Sequence, residues 1–247
     1  MRRRLYFSTV LIVLCAAGAV RAQPQPVDLE LAFVVDASGS IDEDETRLQR
    51  QGYADALVNP RVLQAIGSGF LRAIAVAYIE FAGPSCERVS VAWTRIDGAD
   101  SARSFGARIL ALPRMFCPGG NAISDALALA AASIRTNDFD GTRKVIDVSG
   151  DGPNTLGLPV EFARDAAVAA GMTVNGLVIE RPSMPDLDAY YRSAVTGGPR
   201  SFVITAKDRK SFAEAILKKM ILEIAGRRTS ARHAAAPARG HDTGKPR

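Results

Sequence analysis

The stretch LAFVVDASGSID, residues 31–42, carries five apolar residues into an aspartate and then sets serines two and four positions beyond it. The apolar run around residues 29–35 has the length and the Val/Phe content of a buried strand. Asp36, Ser38 and Ser40 therefore stand where that strand ends and the chain leaves the core. Small oxygen-bearing side chains at such a place either cap the next helix or gather around a ligand.

Further strands are expected at 73–81, 89–93, 144–148, 173–179 and 201–205, each short and rich in Val, Ile or aromatic residues. Helical patterns are expected over 42–58, 122–134, 159–170, 186–195 and 208–225. In the last of these, Ala213, Ile216, Leu217, Met220 and Ile224 form an apolar stripe, and Lys219 and Glu223 are expected mostly off it. The order reads strand, helix, strand, strand, helix, helix, then three strand–helix units from residue 144. Only AGPSCER separates the second and third strands, too short for a crossover, so these two form an antiparallel hairpin with the second at an edge. The fold class is α/β, a three-layer, doubly wound, mostly parallel sheet with one antiparallel edge strand.

The ends read differently from the middle. Residues 1–22 have the pattern of a signal peptide: Arg2, Arg3 and Arg4, an apolar stretch, and Val20-Arg21-Ala22 as cleavage site. The apolar segment is shorter than the ~20 residues of a membrane span. Leu14 before Cys15 favours simple export over lipidation. The expected layout is a signal peptide (1–22), a short linker (23–27), a folded domain (28–225) and a basic, disordered tail (226–247). The product is exported, periplasmic or secreted, with no transmembrane segment in the mature chain. The two ends hold ten of the 31 basic residues and only one of the 26 acidic ones, so the net charge of +5 hides a slightly acidic core. A nucleic-acid partner is therefore not expected.

Both histidines, His233 and His241, lie in the tail. Imidazole-based nucleophile systems and histidine metal sites are thereby excluded from the core. Without Cys15 the exported chain keeps Cys86 and Cys117, an even pair suited to one disulfide, with two buried thiols as the alternative.

In a parallel α/β sheet, ligands gather at the carboxyl ends of the strands. Asp36 stands at one such end and Asp151, in VIDVSGDGPNT, just beyond another. The Gly-Gly turn in MFCPGGNAISDAL brings Asn121 to the start of a helix, as a cap or near it. Asp36, Ser38, Ser40, Asn121 and Asp151 then form an all-oxygen set suited to a hard divalent cation, Mg²⁺ first, Mn²⁺ or Ca²⁺ as alternatives. Asp147 reads as a hydrogen-bonded structural aspartate, and Asp125 and Ser124 as capping or solvated residues.

These motifs resemble the von Willebrand factor type A (VWA) family over about residues 28–225, and more narrowly an exported bacterial VWA-like group of unassigned function. The resemblance implies a metal-ion-dependent adhesion site (MIDAS) in which DASGS supplies Asp36, Ser38 and Ser40, and GDG supplies Asp151. Asn121 stands where the family has threonine. The implied function is an exported protein-binding module whose metal recognises a carboxylate on a protein partner, coupled to a shift of the last helix, here 208–225. A VWA-fold scaffold with a degenerate metal site is the alternative. DASGS and GDGPNT also echo haloacid dehalogenase-like phosphatases, but Ser38 and Thr155 replace carboxylates those enzymes need. A non-enzymatic role is expected, with the oligomeric state left open.

Overall fold

The computed structural model describes residues 23–226, apart from 116, 118 and 208. The expected signal peptide and the tail beyond residue 226, with both histidines, lie outside the described residues. The chain runs β1 (Gln25–Val27), β2 (Leu29–Asp36), α1 (Glu43–Val58), α2 (Pro60–Gly67), β3 (Ile74–Phe81), β4 (Arg88–Ile96), α3 (Ala99–Leu110), α4 (Ile123–Thr136) and β5 (Phe139–Gly141). It continues through β6 (Lys144–Gly150), α5 (Val160–Ala169), β7 (Thr173–Ile179), α6 (Leu187–Tyr190) with a π-helical turn (Tyr191–Val195), β8 (Val203–Ala206) and α7 (Arg209–Ala225).

β2 is buried along its whole length because it has a helical layer on each side. Its alternate residues divide between two cores: Leu29, Leu31, Phe33 and Val35 face one, Ala32 and Val34 the other. The first core is closed by α1, α2, α3 and α7, and the second by α4, α5 and the α6 segment. The main sheet has the order β4-β3-β2-β6-β7-β8 and is parallel except for β4, which pairs antiparallel with β3. This is the expected three-layer, doubly wound sheet with an antiparallel edge.

Three expectations are corrected and one helix is added. Residues 23–27 are not a linker: β1 pairs in parallel with β5, anchored by buried Glu30, which accepts from the Gly141 amide at 2.7 Å and from Asn137 Nδ2 at 2.6 Å. A helix, α2, starts at Pro60 behind an Asn59 cap whose Oδ1 accepts from the Arg61 amide at 3.0 Å. The last strand begins at Val203 rather than 201. In α7, Lys219 and Glu223 are buried and Ala213 is exposed. Lys219 pairs with Asp147 of β6, and with Glu223 at 2.7 Å, while Asn175 of β7 donates to Glu223 at 2.9 Å. A polar network thus sits where the stripe predicted the solvent side.

Candidate metal centre

Strand order reverses between β2 and β6: from β2 the sheet extends outward through β3 and β4, and from β6 the opposite way through β7 and β8. A crevice opens at the carboxyl ends of strands at such a point. Asp36 is the last residue of β2, and Asp151 follows Gly150, the last of β6.

The first loop is ordered by its own side chains. The Ser38 amide donates to Asp36 Oδ1 at 2.8 Å, Ser38 Oγ lies 3.0 Å from Ser40 Oγ, and Ser40 Oγ donates to Asp151 Oδ1 at 3.0 Å. Asp36, Ser38 and Asp151 are buried, with Ser40 exposed at the mouth. Below this loop, α1 opens with a capping box in which Asp42 Oδ1 accepts from the Glu45 amide at 2.7 Å and Glu45 Oε2 from the Asp42 amide at 2.9 Å. The helix start is thus capped by Asp42, which leaves Asp36, Ser38 and Ser40 to the crevice.

Asn121 is buried and bound to the third loop through its backbone. Its amide donates to Thr155 Oγ1 at 2.8 Å, and its carbonyl accepts from the amides of Thr155 at 2.8 Å and Leu156 at 3.1 Å. Its side-chain amide lies against Gly152, where a Cβ would approach Asn121 Nδ2 to 2.6 Å, so only glycine permits this contact. Asn121 is not the cap of α4: that helix follows Ala122, and Asn154 Oδ1 accepts from the Ser124 amide at 3.0 Å instead. Asp125 stays beside Ser124, whose Oγ donates to it at 3.3 Å.

The second loop is tied down from outside the crevice. Cys86 and Cys117 form a disulfide, joining the β3–β4 turn to the segment before Gly119. Buried Arg50 pairs with Glu80 at 2.6 Å and donates to the carbonyls of Leu112 at 2.5 Å and Pro113 at 3.1 Å. Arg114 reaches the Ile41 carbonyl at 2.9 Å.

Two residues of the centre were not assigned to it from the sequence, where Thr155 entered only as a departure from the phosphatase motif and Arg181 not at all. Thr155 lines the crevice beside Asn121. Arg181 lies just past β7; its Nη2 donates to Asp151 Oδ2 and, at 2.9 Å, to the Ser40 carbonyl. The signal for Arg181 was its place at the carboxyl end of a strand, the same rule that selects Asp36. With Gly119, Gly120 and Met184 these residues line a cleft of about 220 Å³.

The charge balance inside the cleft is uneven. Burial, and then the neighbouring Asp151, pushes the Asp36 carboxyl up to about 7, against the hydrogen bonds from Ser38. Asp36 Oδ2 is buried with no hydrogen-bond partner. A buried carboxylate oxygen left so is costly unless a cation meets it. Tyr191, whose hydroxyl donates to the Gly152 carbonyl at 3.3 Å, is held well above the ordinary phenol range by burial, with Asp36 and Asp151 adding to it. It therefore stays neutral on the floor of the site. The donor set is carboxylate, hydroxyl and amide oxygen, which fits a hard cation. Among the described residues no group of three or more His, Cys, Asp or Glu side chains assembles, so an ion in this cleft would rely on hydroxyl and amide oxygens beside the two aspartates.

Solved structures share the architecture. The pilus adhesin SpaC from Lactobacillus rhamnosus GG matches at 16% identity and a TM-score of 0.60, over 83% of this chain and 32% of that one. Proximal thread matrix protein 1 from the mussel byssus, with a zinc-occupied MIDAS motif, matches at 15% identity and 0.55, over 83% and 50%. The vWF domain of a type V pili tip protein from Porphyromonas gingivalis matches at 10% identity and 0.56, over 81% and 95%. The chain thus spans about a third of the adhesin and half of the byssus protein. No curated protein matches the sequence. The fold is that of a VWA domain, and the chain, matched over residues 26–228 by the model for a protein of unknown function, belongs to the DUF1194 family.

Proposed function

We propose that this protein is an exported, non-enzymatic protein-binding module in which the crevice holds a divalent cation, Mg²⁺ or its near equivalents. Asp36, Ser38, Ser40 and Asp151 supply the oxygen ligands, with Asn121 contributing its amide oxygen directly or through water. A hard cation in such a site keeps a coordination position for an outside ligand. With only two carboxylates around it the ion remains electrophilic, so a carboxylate on a protein partner completes the set. The exposed side chains of Leu156 and Met184 flank the cleft, giving that partner apolar contacts around its acidic group.

The observation that carries this reading is the orphaned Asp36 Oδ2 beside a chain of oxygens, Ser38 Oγ to Ser40 Oγ to Asp151 Oδ1, linked by hydrogen bonds. Export is supported by the signal-like residues 1–22 and by the disulfide. Among the described residues no helix is long and apolar enough to cross a membrane.

Calorimetric titration of Mg²⁺ and Mn²⁺ into wild type and Asp36→Ala tests the metal. Wild type binds with one site, and Asp36→Ala loses binding; absence of heat from wild type overturns the reading. A pull-down from the native envelope with and without chelator then identifies partners whose capture depends on the ion.

A further inference from the structure

Arg181 occupies an unusual position for a site that is to bind a cation. Its guanidinium holds Asp151 Oδ2 and the Ser40 carbonyl through one nitrogen, while Asp151 Oδ1 is taken by Ser40 Oγ. Both oxygens of a carboxylate that is 2% exposed are thus engaged, one by a hydroxyl that belongs to the proposed ligand set and one by a fixed positive charge. Arg181 enters from the rim: its side chain is 33% exposed. Its backbone is held separately, by the Met184 amide on its carbonyl at 2.9 Å, so the side chain can leave without moving the loop.

We propose that Arg181 is an internal counter-cation that competes with the divalent ion for Asp151, so that the ion enters only as the guanidinium swings out to the rim. This rests on the metal reading above and deepens it. A guanidinium and a divalent ion on one buried carboxylate repel each other, so each weakens the other's hold on Asp151. A guanidinium that holds Asp151 nine-tenths of the time lowers the apparent metal affinity about tenfold. Arg181 thereby sets the ion concentration at which the module becomes competent to bind. It also offsets the Asp151 charge when the ion is absent.

The experiment compares wild type, Arg181→Gln, Arg181→Lys and Arg181→Gln/Asp36→Ala by Mg²⁺ and Mn²⁺ calorimetry and by thermal melts in chelator and in saturating metal. Circular dichroism confirms that each variant is folded. Arg181→Gln is expected to bind Mg²⁺ about tenfold more tightly than wild type, and to melt lower in chelator but level with wild type in saturating Mg²⁺. Arg181→Lys, which keeps the charge without the planar fork, falls between. The double variant binds nothing, which places the gain at this site. Equal or weaker binding by Arg181→Gln overturns the competition while leaving the metal centre standing. No binding by either wild type or Arg181→Gln overturns both.

Discussion

Replacing Cys86 and Cys117 with alanine tests how the second loop of the crevice is held. The bridge has a sequence separation of 31 and encloses β4 and α3. In the chain-entropy model, closing a loop of that size in the unfolded chain stabilises the fold by about 4 kcal/mol. In a folded unit of this size each kcal/mol moves the melting temperature by roughly 2–4 °C, so a drop of roughly 8–15 °C is expected. The native loop keeps other anchors in the double variant: Arg50 on Leu112 and Pro113, Arg114 on Ile41, and the Ala122 amide on the Ala82 carbonyl at 2.8 Å. The backbone at Cys117, just before Gly119 and Gly120, is what loses its tie. The fold therefore survives, stability falls mostly through the unfolded state, and Mg²⁺ affinity falls through loss of order next to Asn121. Urea unfolding of wild type, reduced wild type and the double variant measures the first effect, and calorimetry the second. A stability loss under about 1 kcal/mol would refute the entropic account. An unchanged Mg²⁺ affinity alongside it removes any role for the bridge in ordering the site.

The buried network under α7 gives two more outcomes. Lys219→Met leaves Asp147 and Glu223 without their cation and should cost about 3–5 kcal/mol in urea unfolding, whereas Asp147→Asn/Lys219→Met/Glu223→Gln should recover most of it. Glu223 faces Asp147 from β6, Asn175 from β7, Tyr53 from α1, Lys219 on its own helix, and Arg143, which caps its backbone carbonyl at 2.7 Å. Burial, with Asp147 adding, pushes Glu223 from 4.5 up to about 8, while Lys219 and Asn175 oppose. Because the folded state holds this proton more tightly than the unfolded one, stability falls as pH rises from about 4.5 to 8. Glu223→Gln, which keeps an acceptor for Asn175, should flatten that dependence; denaturant midpoints at pH 5 and pH 8 that shift equally in variant and wild type would contradict the assignment.

Strands buried on both faces were the most legible part of the fold, because β2 and β3 are runs of Val, Ile, Leu, Ala and aromatics, and β6 and β7 each carry several Val, Ile or Leu residues. β1 and β5 were not legible: three residues each hold no period, and their pairing depends on Glu30, a residue more than a hundred positions from Gly141. α2 was hidden because Asn59 and Pro60 look like a stop and are in fact a start. Lys219 and Glu223 were put on the wrong side of α7, since an apolar stripe carries no record of the aspartate waiting on the sheet. In the crevice, Asp36, Ser38 and Ser40 were visible because one loop carries all three. Arg181 was not, because its contacts join residues 141 and 30 positions apart in the chain.

Two buried acidic pairs, Asp36 with Asp151 and Asp147 with Glu223, lie on this one sheet and its last helix, and each requires compensation. At the second pair the compensation is sealed: Lys219 is 1% exposed, near the Phe202 ring and paired with both carboxylates, although Glu223 Oε2 has no hydrogen-bond partner. At the first pair it is open to the rim and touches one carboxylate of the two. Arg181 reaches only Asp151, arrives from the rim, and leaves Asp36 Oδ2 without a partner. One guanidinium offsets one of two formal negative charges, whereas a divalent ion bound as proposed would offset both. The two networks are built from the same chemistry and differ in access. A sealed cation fixes α7 to the sheet, and a cation reached from the rim of a cleft is the one that the proposed ion, and the acidic group of a partner, would have to displace.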